Sequence, residues 1–202
     1  EILTTSSQYL TRQMLPSDKF IYGYFSRFNA VMTSYNILRH TGTVWSMMCA
    51  YEVTGDNSLL ETIHKAIDYL RTQISYKDNE TAFVVEAGSR EIKLGGNGIA
   101  VIALTKHMEV FGDRDFTDMI TLLANGILYL QDKETGKMTH VLDAANFEVK
   151  EAFRTVYYDG ESAYALIKAC DITGNNAYLD AARRSIDYFI NKNYVVYRDH
   201  WL

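Results

Sequence analysis

Two kinds of helical pattern take turns along this chain. The runs Val44 to Tyr51, Ile99 to Leu104 and Ala163 to Ala169 are apolar nearly all the way round, as expected of a helix buried on every side. Between them lie segments with one wet face. Leu59, Leu60, Ile63, Ala66, Ile67 and Leu70 recur at helical spacing, while Glu61, His64, Lys65, Asp68 and Arg71 fill the other positions. The last such segment sets Tyr178, Leu179, Ala182, Ile186 and Phe189 against Asp180, Arg183, Arg184 and Asp187. The pattern therefore predicts buried inner helices paired with amphipathic outer ones.

The pairs repeat. A Tyr-Leu-like step closes each outer helix at Tyr9-Leu10, Tyr69-Leu70, Tyr129-Leu130 and Tyr188-Phe189, about sixty residues apart. A glycine turn joins inner to outer helix at Thr54-Gly55-Asp56, Phe111-Gly112-Asp113 and Thr173-Gly174-Asn175. Glycine takes the left-handed conformation that ends a helix, and Asp or Asn beside it suits the next N-terminus. The expected fold is all-α, with one outer helix followed by three inner-outer hairpins in a single domain over 1–202. The phase of the repeat starts the chain in the second helix of a unit and stops it at Trp201-Leu202, where a new first helix is due. The expectation is a piece of a larger ring.

The connections between units, about 75–97 and 131–159, are long, and each holds a short β-like stretch: Phe83-Val84-Val85 in one, Met138 to Leu142 in the other. Phe20 to Tyr24 and Tyr194 to Tyr197 occupy similar places after the first and last outer helices. Because every connection leads from an outer helix to the next inner one, all should lie on one edge. Long structured loops between compact helices usually carry function.

Composition narrows the chemistry. At 48% hydrophobic and 22% charged the chain belongs to the ordinary globular class. A net charge of -5 argues against a general nucleic-acid surface, which needs concentrated Lys and Arg. No apolar run reaches membrane-spanning length. Cys49 and Cys170 sit in apolar helical runs and read as small core residues, not as a disulfide framework.

The entrances to the inner helices hold the polar and aromatic residues: Tyr35-Asn36-Ile37-Leu38-Arg39-His40-Thr41-Gly42, Lys93-Leu94-Gly95-Gly96-Asn97-Gly98, Tyr157-Tyr158-Asp159-Gly160-Glu161 and Arg198-Asp199-His200-Trp201. With the alternating helices and the Thr-Gly-Asp turns, these entrances resemble the six-hairpin (α/α)6-toroid glycosidase-like superfamily. About three and a half of six hairpins are present. The resemblance implies part of an (α/α) toroid with a saccharide-binding cleft at the rim, in a superfamily of glycoside hydrolases, uronyl hydrolases, epimerases and lyases. It matches no single enzyme family's full catalytic motif, so residue roles rest on chemistry and position.

Glycosidases use two carboxyl groups, one protonated and one ionised. Glu161 and Asp159 are the leading catalytic candidates, with Glu86 and Asp199 as further rim carboxylates. Each has a structural alternative: Glu161 as a carboxylate favoured by a helix N-terminus, Asp159 as an N-cap, Glu86 as a solvated turn residue. Arg39, His40 and Lys93 suit an anionic sugar, Asn97 its hydroxyls, and Tyr157, Tyr158, Tyr22, Tyr24, Tyr35 and Trp201 its ring faces. Packing, salt bridges between repeats and ordinary repeat-core aromatics are the alternatives. His40, His140 and His200 lack the short spacing of a metal motif, and the glycine-rich 93–98 stretch lacks the ending of a P-loop. Neither a metal nor a cofactor is called for. The partner expected is a saccharide or polysaccharide, with the remainder of the ring, and the competing reading is a non-catalytic helical-repeat module binding a glycan or a protein.

Overall fold

The computed structural model describes residues 1–200. Seven α-helices follow one another as expected: α1 (Ile2–Arg12), α2 (Ile37–Thr54), α3 (Leu60–Thr72), α4 (Leu94–Phe111), α5 (Thr117–Tyr129), α6 (Tyr157–Thr173) and α7 (Asn176–Asn191). The three inner helices α2, α4 and α6 each end on a left-handed glycine, Gly55, Gly112 and Gly174, at φ 64°, 70° and 72°. A side chain at those angles would be strained, and this explains why the turn repeats as glycine.

The inner helices stand side by side, α4 packed between α2 and α6. Only α4 is buried on all sides: Val101, Ala103 and Leu104 are fully buried and Ile102 nearly so. Helices α2 and α6 each keep an open side, with Ser46 and Tyr164 exposed, because each lacks one inner neighbour. Cys49 and Cys170 are therefore half-buried free thiols, and Ile167 is half-buried as well. The outer helices behave as their pattern predicts, with Ile63, Ala66 and Leu70 buried while Lys65, Arg71, Arg183 and Asp187 face solvent.

Successive inner helices are also linked by a repeated ion pair near their C-terminal ends. Lys106 of α4 reaches Glu52 of α2 at 2.7 Å, and Lys168 of α6 reaches Glu109 of α4 at 2.6 Å. Partly exposed as they are, these pairs contribute a few tenths to about 1 kcal/mol each. Their value is in fixing the stagger between repeats.

The β-structure is larger than the short segments expected. Strands β1 (Tyr24–Phe25) and β2 (Ala30–Val31) form a small hairpin, while β3 (Ile74–Tyr76), β4 (Ala82–Glu86), β5 (Glu91–Lys93), β6 (Val141–Asp143) and β7 (Val149–Glu151) form one antiparallel sheet in that order. The 74–93 and 141–151 stretches belong to different connections, yet they join through β5 and β6, with Ile92 opposite Leu142. Both long loops therefore lie on the same edge. Shared pairing was illegible because each connection alone offers only three- to five-residue runs; partners appear once the helices bring the loops together. Two further expectations are corrected: 194–197 winds into a 3-10 helix, and Met138 makes only an isolated bridge to Gln131.

Candidate functional site

The sheet and the N-terminal ends of α4 and α6 form the edge on which the candidate residues lie. Helix α4 begins directly where β5 stops, so Lys93 is at once the last residue of a strand and the first flank of a helix. The next residues are glycines, and α6 comes close enough to use them. A Cβ built on Gly95 would stand 2.7 Å from a ring carbon of Tyr158 and 2.8 Å from Oε2 of Glu161. One on Gly98 would meet Cγ of Glu161 at 3.4 Å and Oγ of Ser162 at 3.1 Å. Glycine here is a requirement of close approach, and it puts Glu161 and Tyr158 against the entrance of α4.

Glu161 is 5% exposed, and its Oε2 is buried without a hydrogen-bond partner. Burial raises its pKa to about 8, with help from the negative charge of Asp199. A carboxylic acid in such a place keeps its proton at neutral pH. Tyr158 is buried beside it, its edge against the half-exposed ring of Tyr157 at 5.0 Å and its own hydroxyl pushed up by burial. These three residues form one group with Gly95 and Gly98.

Asp159 does not join them. Two residues apart on a helix, Asp159 and Glu161 leave its axis about 200° from each other. Asp159, 1% exposed, faces His140 instead, with Oδ1 3.2 Å from Nε2 but off the line of a hydrogen bond. The sequence-based pairing of the two as acid and base therefore needs correction: they share a turn and diverge in space.

Glu86 and Lys93 form a close ion pair on β4 and β5, each only slightly exposed, and Lys93 also lies 3.7 Å from Glu91. Glu91 in turn holds Arg154 and Lys150. Lys93 and Glu86 thus stand at the entrance of α4, engaged with each other across the sheet. Glu86 Oε1 remains buried and unpartnered.

The first-repeat candidates belong elsewhere. His40 is buried among Phe20, Tyr35 and Tyr69. Its Nε2 donates to Ala66 O at 2.8 Å, so Nδ1 accepts from the Tyr35 hydroxyl at 2.6 Å. Burial lowers its pKa to about 4, and the neutral ring is wholly used in packing. Arg39 lies exposed over the ring of Tyr22 at 5.3 Å. Tyr24 is exposed and bonded to Asn29. Asn97 is fully buried, and its amide is used by three backbone partners: Val84 N–H, Ala82 O and Leu123 O. It fastens α4 to β4 and α5 and offers nothing to a ligand. Trp201 lies outside the described residues. Among those residues no group of three or more His, Cys, Asp and Glu is placed to hold a metal ion, and no helix is long and apolar enough to cross a membrane.

A cavity of about 660 Å³ lies beside this edge, between α6, α7 and the 194–199 segment, lined by residues such as Tyr164, Ile167, Ile186 and Phe189. Its walls are copies of an interface that is filled elsewhere in the chain. Counted back from the capping glycines, Tyr164 corresponds to Ile102, which is 2% exposed; counted from the Tyr-Leu steps, Ile186 corresponds to Ile67 and Ile127, 2% and 0% exposed. Ile186 itself is 40% exposed. The apolar stretch of the groove has the make-up of an inter-repeat contact, while Gly160 and Asp199, also on its lining, belong to the side nearest Glu161.

No protein-family model and no curated protein sequence matches the chain. Solved structures do. A sugar epimerase from a ruminal bacterium superposes with a TM-score of 0.74 at 13% identity, over 90% of this chain and 51% of that one. An inactive variant of the α-1,6-mannanase GH76A of Salegentibacter sp. HEL1_6, in complex with α-1,6-mannotetrose, gives 0.68 at 14% identity, over 93% and 70%. Cellobiose 2-epimerase from Bacillus thermoamylovorans gives 0.68 at 17%, over 94% and 54%. The chain thus spans about half the length of the two epimerases. At these identities the likeness establishes the fold alone: three and a half helical hairpins of an (α/α) toroid.

Proposed function

We propose that this chain forms part of a carbohydrate-active toroid in which Glu161 donates a proton to a bound saccharide. The observation that carries this reading is the state of Glu161: buried, with an unpartnered oxygen and a pKa raised to about 8, against the bare backbone of Gly95 at the mouth of two inner helices. A structural carboxylate at a helix N-terminus would be stabilised as an anion. Burial acts on this one in the opposite sense, favouring the acid form at a cost in stability, and a buried acid at a helix mouth is suited to proton transfer.

Proton donation to an oxygen is a step shared by glycoside hydrolysis, sugar epimerisation and elimination, and the structural neighbours include a mannanase and epimerases. Asp199 is the carboxylate whose charge reaches Glu161, and it is our candidate for the ionised partner. Lys93, Glu86, Tyr157 and Tyr158 are the candidates for saccharide contact on the same edge. The remaining hairpins of the ring are the partner that would cover the apolar groove beside α6 and α7.

A second reading, a non-catalytic module that binds a glycan or a protein, is favoured by the divergence of Asp159 from Glu161. The two readings separate in one assay. The full-length protein is offered α-1,6-mannotetraose, cellobiose, mannose and uronate oligosaccharides, and thermal stabilisation and product formation are both followed. The enzyme reading expects turnover of at least one sugar, abolished in Glu161→Gln while stabilisation by that sugar persists. Stabilisation without turnover establishes the binding module, and undiminished turnover in Glu161→Gln removes Glu161 from the chemistry.

A further inference from the structure

Three repeats put three different residues at one position, fifteen residues before the glycine that ends the inner helix: His40 before Gly55, Asn97 before Gly112, Asp159 before Gly174. The first two do the same work. His40 donates to Ala66 O at 2.8 Å and Asn97 to Leu123 O at 2.9 Å, in each case a carbonyl of the outer helix 26 residues further on. A carboxylate has no proton to give, so Asp159 does not repeat the bond. In the third repeat the outer helix is held differently, by Gln131, which donates to Ala181 O at 2.8 Å and to Ser185 Oγ at 2.7 Å. Asp159 is left with both oxygens buried and without a hydrogen bond, an arrangement that costs stability. It is a poor fastener at a place where Asn or His makes a good one.

What it faces is His140, which is completely buried and joins both helix entrances. Its backbone carbonyl accepts from Leu94 N–H at 2.9 Å, the first residue of α4. Its Nδ1 accepts from Arg154 N–H at 3.0 Å and Thr155 N–H at 3.3 Å, just before α6. With Nδ1 occupied as an acceptor, the neutral ring carries its proton on Nε2, the atom 3.2 Å from Asp159 in the first turn of α6. Helix α6 has no side-chain cap of its own, whereas Asn36 and Asn175 cap α2 and α7. His140 instead holds the residues that lead into α6, through the N–H groups of Arg154 and Thr155, and lies beside Asp159 in its first turn.

We propose that His140, acting with Asp159, is a positioning residue of the candidate site: it fixes the first turn of α6 against the entrance of α4 and so holds Glu161 in its buried place beside Gly95. Neither residue touches the substrate; both act through Glu161. The proposal deepens the reading of Glu161 as the acid, and its tests are chosen to stand apart from that reading.

The first test is the ring itself. Nitrogen-15 NMR of the histidines in the full-length protein should show His140 protonated on Nε2, with that proton protected from exchange; a ring protonated on Nδ1 overturns the proposal. The second follows the Glu161 carboxyl by carbon-13 NMR through a pH titration. In the wild type the midpoint should lie near 8, because burial disfavours the charged form. Replacing His140 by Ala releases the turn, lets water reach Glu161 and lowers the midpoint by about one pH unit or more. His140→Gln, whose amide offers an acceptor and a donor spaced like the two ring nitrogens, should keep the midpoint near the wild-type value, as should Asp159→Asn. An unchanged midpoint in a folded His140→Ala variant overturns the proposal even if melting falls, because a merely structural role moves stability alone. Turnover in Glu161→Gln is a separate readout: its persistence sinks the acid and leaves the positioning result as measured.

Discussion

Arg154 grips Glu91 with both arms of its guanidinium, Nη1 2.7 Å from Oε2 and Nη2 3.1 Å from Oε1, and so ties the segment entering α6 to β5, which leads into α4. The same guanidinium holds Glu151 through Nε at 2.6 Å. The bidentate geometry is the favourable one for Arg and carboxylate, and Lys does not reproduce it.

Stability should follow the protonation of Glu91. Arg154, with Lys150, holds its pKa down to about 2 against an ordinary 4.5. A depressed folded value means that the contribution is complete above about 4.5 and is lost as pH falls toward 2. Arg154→Ala should lower stability by about 1.5 to 3 kcal/mol at pH 7, with a much smaller difference from wild type near pH 2. Denaturant melts at the two pH values check it; equal losses at both would mean that packing, not charge, is what Arg154 supplies.

Glu161 should act on stability in the opposite sense. Its folded pKa is raised to about 8 while the unfolded chain ionises near 4.5, so the unfolded state gives up a proton that the folded state keeps. Stability contributed by this residue is therefore full below about 4.5 and falls as pH rises to about 8. Glu161→Gln removes the titration, and its melting temperature should exceed that of the wild type at pH 8 while matching it at pH 4. Asp199→Asn should lower the Glu161 midpoint, since the like charge of Asp199 is one of the two causes of the rise. A wild type and Glu161→Gln pair that melt in parallel across the whole range would refute the buried acid.

Gly95→Ala tests the close approach directly. The added methyl meets the Tyr158 ring and Glu161 Oε2 at distances no real Cβ shows, so these side chains, or α6 with them, must shift. The expected cost is about 1 to 3 kcal/mol, together with a downward shift of the Glu161 midpoint as the gap admits water. Gly42, inside α2 with open space around its Cβ position, is the control, and Gly42→Ala should leave the Glu161 midpoint near wild type and raise stability by about 0.5 to 1 kcal/mol.

Much of the helical frame could be read from the residues alone because each helix announces itself within its own length. Ile63, Ala66 and Leu70 fall on one face whatever lies nearby, and Gly55 marks its turn by a local angle. The sheet could not be read in this way, since Ile92 meets Leu142 fifty positions further along the chain, beyond two helices. The site was half legible. Glu161 stands out as an acid at a buried entrance, but the divergence of Asp159 follows from helical geometry, and His140 carries no signal beyond being a histidine in a loop. Asn97 misled for a physical reason: an amide at a helix entrance looks the same in sequence whether it faces a sugar or three backbone groups.

The fastening role of Asn97 gives the sharpest packing prediction. Its Oδ1 accepts from Val84 N–H at 2.9 Å and its Nδ2 donates to Ala82 O at 3.0 Å and Leu123 O at 2.9 Å, all in a place without water access. Asn97→Asp keeps the shape but loses both donors and adds a charge that burial opposes, so the loss should reach about 3 kcal/mol or more. Gly126 lies against the same amide, and a Cβ there would strike both Asn97 Nδ2 and Ala82 O. Gly126→Ala should therefore break the same bonds from the other side. Because the two substitutions damage one set of contacts, their combined cost should fall clearly short of the sum, and amide exchange at Val84 should accelerate in each single variant. Additive losses, or a Val84 amide as protected as in the wild type, would show that Asn97 does not hold β4 to α4 and α5.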